Sequence, residues 1–282
     1  MSIPTEIITE KSLTEKGFYW REKNGVKVLV CAALEKAGFT NGFSTRVGGV
    51  SPFPKNDLNL AGYDEDLSEN IEENRRRFLE VFEGEWCIAS CWQIHSDLIR
   101  HVKSLADAAD GNYKMDALIS DVKGILLGAK TADCVPVLLG DVKTGAFAAV
   151  HAGWRGTVNS IVPKTIAEMH RKFGTNPENL IAAMGAAASG KNYEVGSDVI
   201  EIFRQNFPDS YSELFTPTRE NHAFVDLFKA NQHQLISSGV ALENIFTAPF
   251  CTMERTDLFF SYRVEKKLYG KTGRLLSVIG KQ

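Results

Sequence analysis

The sequence predicts one α+β domain over residues 1–282. Three observations carry that reading. Strand-like and helix-like segments are mixed along the chain. Two of the strand-like segments close on each other as a hairpin near the middle. No repeat, low-complexity tract or long linker divides the molecule.

The hairpin lies within TADCVPVLLGDVKTGAFAAVHAGWRGT, residues 131–157. Apolar runs at 135–139 and 146–150 flank a Gly-containing turn. Cys134 then begins one strand and His151 ends the next. Folding about the turn brings them to the same end of the ladder, where opposed or diagonal Cβ atoms lie roughly 5–8 Å apart. A metal or a substrate atom fits between them.

Beyond His151 the glycines of AGWRG expose Trp154 and Arg155 just past a strand end. A helix is expected over 158–173, with Thr157 as N-cap, Pro163 in its first turns and Gly174 as its stop. Arg155 would then precede a helix N-terminus, a position that favours anions.

The other elements follow in order. A strand is expected at 26–31. GFSTRVGGVS, 42–51, is a strand end entering a Gly-Gly loop that carries Arg46, whose plain reading is a solvated turn arginine. Residues 58–60 are extended, and 68–82 is a helix capped by Ser68, with Ile71, Phe78, Leu79 and Phe82 on one face. WCIASCWQIH, 86–95, has too many apolar residues for a helical stripe and reads as a buried strand ending in His95. A lone histidine there is commonly a hydrogen-bonded structural residue. Strands at 116–120 and 124–130 lead to the hairpin, and another at 180–184 precedes a small-residue loop, 185–195. Helices at 197–207 and 226–238, the latter capped by Asp226, and strands at 245–248, 258–262 and 275–279 complete the chain.

Composition narrows the function. Hydrophobic residues at 44% and charged residues at 24% are ordinary for a soluble globular protein. A net charge of -3 with both signs interspersed leaves no basic stripe for nucleic acid. The start MSIPTEIITEK has no apolar core, and no apolar run reaches the ~20 residues of a membrane span. A cytoplasmic protein with no membrane partner is expected. Five scattered cysteines do not form a disulfide framework, so reduced thiols are expected.

GFSTRVGGVS, LNLA, ENRRRF, QIHSD, TADCVPVLL, AVHAGWRGT, YEVG, VDL, CTM, FFSYR and TGR occur in one order. In this the chain resembles the laccase-domain, or multicopper polyphenol oxidase, family. Its members act as purine nucleoside phosphorylases, and a bacterial peptidoglycan editing factor also belongs to it. The likeness runs from about residue 39 onward, and TADCVPVLL with HAGWRG is its most specific part. It implies a four-layer α/β/β/α sandwich and a zinc ion held by His95, Cys134 and His151, with a fourth position open as in catalytic zinc sites. QIHS stands where the family has QVHG, which keeps the histidine. Residues 185–190 depart from the family's pattern, lacking its proline and the cysteine after it.

The resemblance implies phosphorolysis of adenosine, inosine and guanosine, with methylthioadenosine in the same class, and adenosine deamination at the same zinc. Phosphate needs a cation, and Arg46 and Arg155 are the candidates, since guanidinium grips phosphate with two parallel hydrogen bonds. Asp133 is a candidate catalytic group, able to orient a ligand or move a proton, or else a residue that satisfies backbone at a strand start. A two-His, one-Cys site also accepts copper. A complete multicopper centre is excluded, because only His101, His170, His222 and His233 remain and none are paired. Two other classes stay open: a metal-free Cys134/His151 hydrolase editing peptidoglycan precursors, and a non-catalytic nucleoside-binding protein.

Overall fold

In the computed structural model, which describes residues 8–53, 56–61 and 66–282, the hairpin is the pair Val135–Asp141 and Phe147–Ala152, buried along its whole length. It forms the middle of a six-stranded sheet ordered Ile245–Thr247, Leu180–Met184, Val135–Asp141, Phe147–Ala152, Ala117–Ser120 and Ile99–His101. Pairing is antiparallel in the middle and parallel at both edges.

A second six-stranded sheet runs Phe18–Lys23, Val26–Cys31, Thr40–Ser44, Leu275–Lys281, Ile125–Thr131 and Cys87–Ala89. Residues before the family-like region thus supply two of its strands. A small sheet of Glu194–Gly196, His222–Val225 and Phe215–Pro217 stands apart.

Side chains on successive strand residues point to opposite faces, so each large sheet has an inner and an outer apolar face. The inner faces meet, with Leu127, Ala129 and Ile279 packed against Leu138, Phe147 and Ala149. On one outer face Val28, Leu126 and Val278 are covered by Phe78 of the helix Ser68–Leu79. On the other, Val137, Leu139 and Val150 are covered by Val162, Ile166 and Met169 of Ile161–Phe173 and by Leu235 of Leu227–Ser237. Fully burying one such side chain contributes roughly 1.5–3 kcal/mol. The result is the four-layer α/β/β/α sandwich that the resemblance implies. Among the described residues, no helix is long and apolar enough to cross a membrane.

Four elements differ from expectation. Only Cys87–Ala89 of the 86–95 strand is in a ladder, and Trp92 and Ile94 are exposed at 62% and 42%. Residues 258–262 turn instead of extending, because the Ser261 side chain accepts from Val264 N–H and starts the helix Tyr262–Tyr269. The 158–173 helix is two: Trp154–Val158, then Ile161–Phe173 after Ser160 at φ 60°. Thr157 is therefore no cap; it is buried, and its hydroxyl and carbonyl accept from Asn231 and Gln234. Ser68 is likewise inside its helix, which Leu67 precedes with no side-chain cap.

Candidate metal centre

Register places the first two donors. Val135 pairs with Ala152 and Pro136 with His151, so Cys134, one residue before the ladder, lies diagonally across from His151 at the open end of the hairpin. His95 joins them from the loop after Cys87–Ala89. The donor atoms of His95, Cys134 and His151 all lie within 4.8 Å of one another, the one such group among the described residues. His95 Nε2 is 4.0 Å from Cys134 Sγ, and the two imidazole rings stand edge to face with centroids 4.8 Å apart.

Two side chains hold His95 there. The chain leaves the sheet after Ala89, and the Gln93 amide takes over as a strand partner: its Nε2 donates to Lys130 O and its Oε1 accepts from Lys130 N–H, both at 2.7 Å. Asp116 then gathers the next turn. It accepts from the backbone N–H groups of Ile94, His95 and Ser96 at 3.2, 3.0 and 2.7 Å, and from the Ser96 hydroxyl at 2.7 Å. These bonds offset the cost of His95 at φ 59°, in the left-handed region.

Asp116 also binds His151. Its Oδ1 accepts from His151 Nδ1 at 2.8 Å, which fixes the proton on Nδ1 and leaves Nε2 as the free donor atom. Burial raises the Asp116 carboxyl, but the bonds from His151 and Ser96 outweigh it and hold it at about 2. Sequence reading placed Asp116 only at the start of a strand. Its signal was the register, since Ala117 pairs with Val150 and Asp116 thus stands beside His151.

Burial opposes ionisation of both Cys134 and His151, yet each supports the other. The imidazoles of His151 and His95 pull the thiol pKa down, while the Cys134 thiolate and Asp116 push His151 up. A thiolate with two imidazoles suits a metal ion of borderline softness. The space fits as well, because a Cβ on Gly153 would lie 3.0 Å from Cys134 Sγ and 3.1 Å from His95 Cδ2. Only glycine keeps that side clear.

The donors open into a cavity of about 830 Å³, also lined by Trp92, Trp154, Arg155 and Tyr193. Arg155 is exposed, with its guanidinium 4.3 Å over the Trp154 ring. It lies inside the five-residue helix Trp154–Val158, and the long helix Ile161–Phe173 begins only after the break at Ser160. Asp133 also lines this cavity, but its Oδ1 accepts from the Thr252 hydroxyl and its Oδ2 from Arg263 N–H, both at 2.7 Å. Burial raises its pKa. The carboxylate anchors the first turn of Tyr262–Tyr269, and the metal donors take no bond from it.

Arg46 is elsewhere. It lines a separate cavity of about 500 Å³, is 5% exposed, and gives its donors to both oxygens of Asp57 and to Glu265 and Thr256 O, with its guanidinium 4.5 Å over Phe260. Arg46, a candidate phosphate ligand in the sequence, thus has its charge matched internally and lines a cavity other than that of the His-Cys-His cluster. The 185–190 loop is packed and not open. A Cβ on Gly185 would meet the Phe43 ring at 2.1 Å and one on Gly190 would meet Asp226 at 2.6 Å.

The four remaining histidines do not form a second cluster. His101 abuts Phe173, His170 and His222 bond backbone carbonyls, and His233 lies near Glu213.

Residues 40–282 match the family model described as multi-copper polyphenol oxidoreductase laccase. A purine nucleoside phosphorylase of Staphylococcus aureus (strain COL) is 35% identical over 266 residues, 90% of this chain and 96% of the relative. One of Corynebacterium glutamicum is 37% identical over 238 residues, 84% of this chain and 92% of the relative. Among solved structures, YlmD of Geobacillus stearothermophilus superposes with a TM-score of 0.85 at 30% identity, covering 93% of this chain and 97% of that one. The hypothetical protein YfiH of Bacillus licheniformis gives 0.85 at 27% identity, with 93% and 99% coverage. The match over most of the chain, with one His-Cys-His cluster at its centre, means that the protein belongs to the multi-copper polyphenol oxidoreductase, or laccase-domain, family.

Proposed function

We propose that the chain is a cytoplasmic, zinc-dependent purine nucleoside phosphorylase acting on adenosine, inosine and guanosine, with methylthioadenosine in the same substrate class and adenosine deamination at the same site. The carrying observation is the meeting of the His95–Cys134–His151 cluster with a cavity of about 830 Å³ lined by aromatic and cationic side chains, within the range of a small-molecule site. Relatives named purine nucleoside phosphorylase support the reaction class. Two imidazoles and a thiolate favour zinc, with copper as an alternative occupant.

When bound, the ion supplies Lewis-acid polarisation and an activated water. The chain's own residues do the rest. Asp116 holds His151 in the tautomer that presents Nε2. Trp92, Trp154 and Tyr193 offer flat faces to a purine. In phosphorolysis a phosphate oxygen bonds to C1′ as the C1′–N9 bond breaks, and the base leaves with the electron pair and takes a proton. Arg155 at the rim is one cation available to that phosphate, and the cavity wall offers others.

A specific observation favours one second reading. Cys134 and His151 meet at the open end of the hairpin, where the imidazole pulls the thiol pKa down, the pairing a metal-free cysteine amidase uses. One experiment separates the two: product analysis of metal-quantified protein with inosine and adenosine, with and without phosphate. The proposal expects hypoxanthine and ribose 1-phosphate from inosine only when phosphate is present, and inosine from adenosine without it. A zinc-loaded protein that makes neither product sinks it.

A further inference from the structure

Five cations line the cavity, Arg75, Lys130, Arg155, Arg263 and Arg274, and among the described residues Asp133 is its one carboxylate. Asp133 is already committed to Thr252 and Arg263 N–H. The chain as a whole carries a net charge of -3, so this excess is local. Arg155 and Arg263 are exposed, whereas Arg75, Lys130 and Arg274 are half-buried.

These three are tied together by the fold. Arg75 Nε donates to Leu60 O at 3.0 Å, and Leu60 N–H donates to Arg274 O at 3.1 Å, so one backbone unit links the helix Ser68–Leu79 to the start of Leu275–Lys281. Lys130 pairs in register with Leu276, two residues past Arg274. Its backbone is the one that Gln93 clamps, two residues before His95. Among the described residues, the Lys130 ammonium makes no hydrogen bond or ion pair. A half-buried, unpaired ammonium beside two guanidinium groups is costly unless an anion compensates it.

We infer that Arg75, Lys130 and Arg274 form a binding site for a tetrahedral oxyanion, either phosphate itself or the phosphoryl group of a phosphomonoester. Guanidinium forks and an ammonium are the donors such an anion takes. Burial and the charges of Arg75 and Arg274 push the lysine's pKa down, and a bound anion would reverse that push. The site shares a cavity with the metal donors, so an anion held there is presented to whatever those donors hold. Its role as the seat of the phosphate co-substrate rests on the phosphorylase reading.

The test uses the full-length, zinc-loaded protein and calorimetric titration with two probes, inorganic phosphate and adenosine 5′-monophosphate, at low ionic strength. Lys130→Met and Arg274→Gln are compared with Arg155→Ala, each checked for zinc content and melting temperature. Lys130→Met and Arg274→Gln should each weaken binding of phosphate roughly tenfold or more, raise the KM for phosphate, and leave the KM for inosine nearly unchanged. Lys130→Arg should restore binding, which a packing role would not require. If only the nucleotide's binding depends on Lys130 and Arg274, the phosphomonoester is the ligand. Unchanged affinity for both probes in both variants, or a loss confined to Arg155→Ala, overturns the inference and leaves phosphorolysis standing. Phosphate binding that depends on Lys130 and Arg274 in a protein that releases no purine overturns the phosphorylase reading and leaves the oxyanion site.

Discussion

Asp116 holds His151 by its Nδ1 at 2.8 Å, and the same carboxylate oxygen takes the backbone N–H of His95 at 3.0 Å. One buried group therefore sets the tautomer of one donor and the position of another. Asp116→Asn has no second carboxylate oxygen to receive the N–H and hydroxyl of Ser96. Zinc affinity, measured by chelator competition, should fall roughly ten- to a hundredfold, as for other partners of ligating histidines. Unaltered affinity would strike Asp116 from the centre.

Cys134→Ser should lose most of its zinc by elemental analysis, since a hydroxyl is a far poorer ligand than a thiolate. Cys87→Ser should keep it, because Cys87 lies in a strand of the other sheet. Metal binding releases protons from its ligands, so wild-type affinity should fall as the pH drops. Full occupancy at a pH where free imidazole is protonated would point to a different donor set.

Gly153→Ala isolates the space the ion needs. The backbone at φ -72°, ψ 172° accepts alanine without strain, but the added Cβ would crowd Cys134 Sγ and His95 Cδ2 at 3.0 and 3.1 Å. Metal affinity should drop while the melting temperature of the metal-free protein stays close to wild type. A variant that binds zinc normally would show that the donors close in from another side.

Arg46→Met should behave as a fold defect. It leaves Asp57 and Glu265 buried without their shared partner, a change that costs about 3–5 kcal/mol. Urea denaturation should show the loss, with every activity reduced together in proportion to folded protein. Normal stability with a selective loss of phosphate dependence would restore Arg46 as a ligand.

The hairpin made Cys134 and His151 legible, because its turn and apolar runs fix which residues meet at its open end. His95 was legible only through family likeness. Residues 86–95 have a buried strand's composition, yet the Gln93 amide replaces the ladder after Ala89 and Trp92 turns to solvent, and no local pattern signals that exchange. Asp116 and the Arg75–Lys130–Arg274 group depend on pairing between distant segments, which periodicity does not encode. Ser261 shows the opposite error: FFSYR has strand-like residues, but the serine acts as a cap and the chain turns into a helix.

His95 and Cys134 are 39 residues apart in sequence, and the exposed His95 sits on a loop whose nearest side-chain anchors are Asp116 and Gln93. A shared ion is therefore a reversible cross-link across that span, restricting the loop much as a disulfide would. Of the 90–98 segment only Cys91 sits in the apolar core, while Trp92, Ile94 and Leu98 are exposed, so without the ion this loop is expected to open before the hairpin does. Loss of metal would then be felt as local fraying at the cavity mouth, with amide protons there exchanging faster while those of the two sheets remain protected.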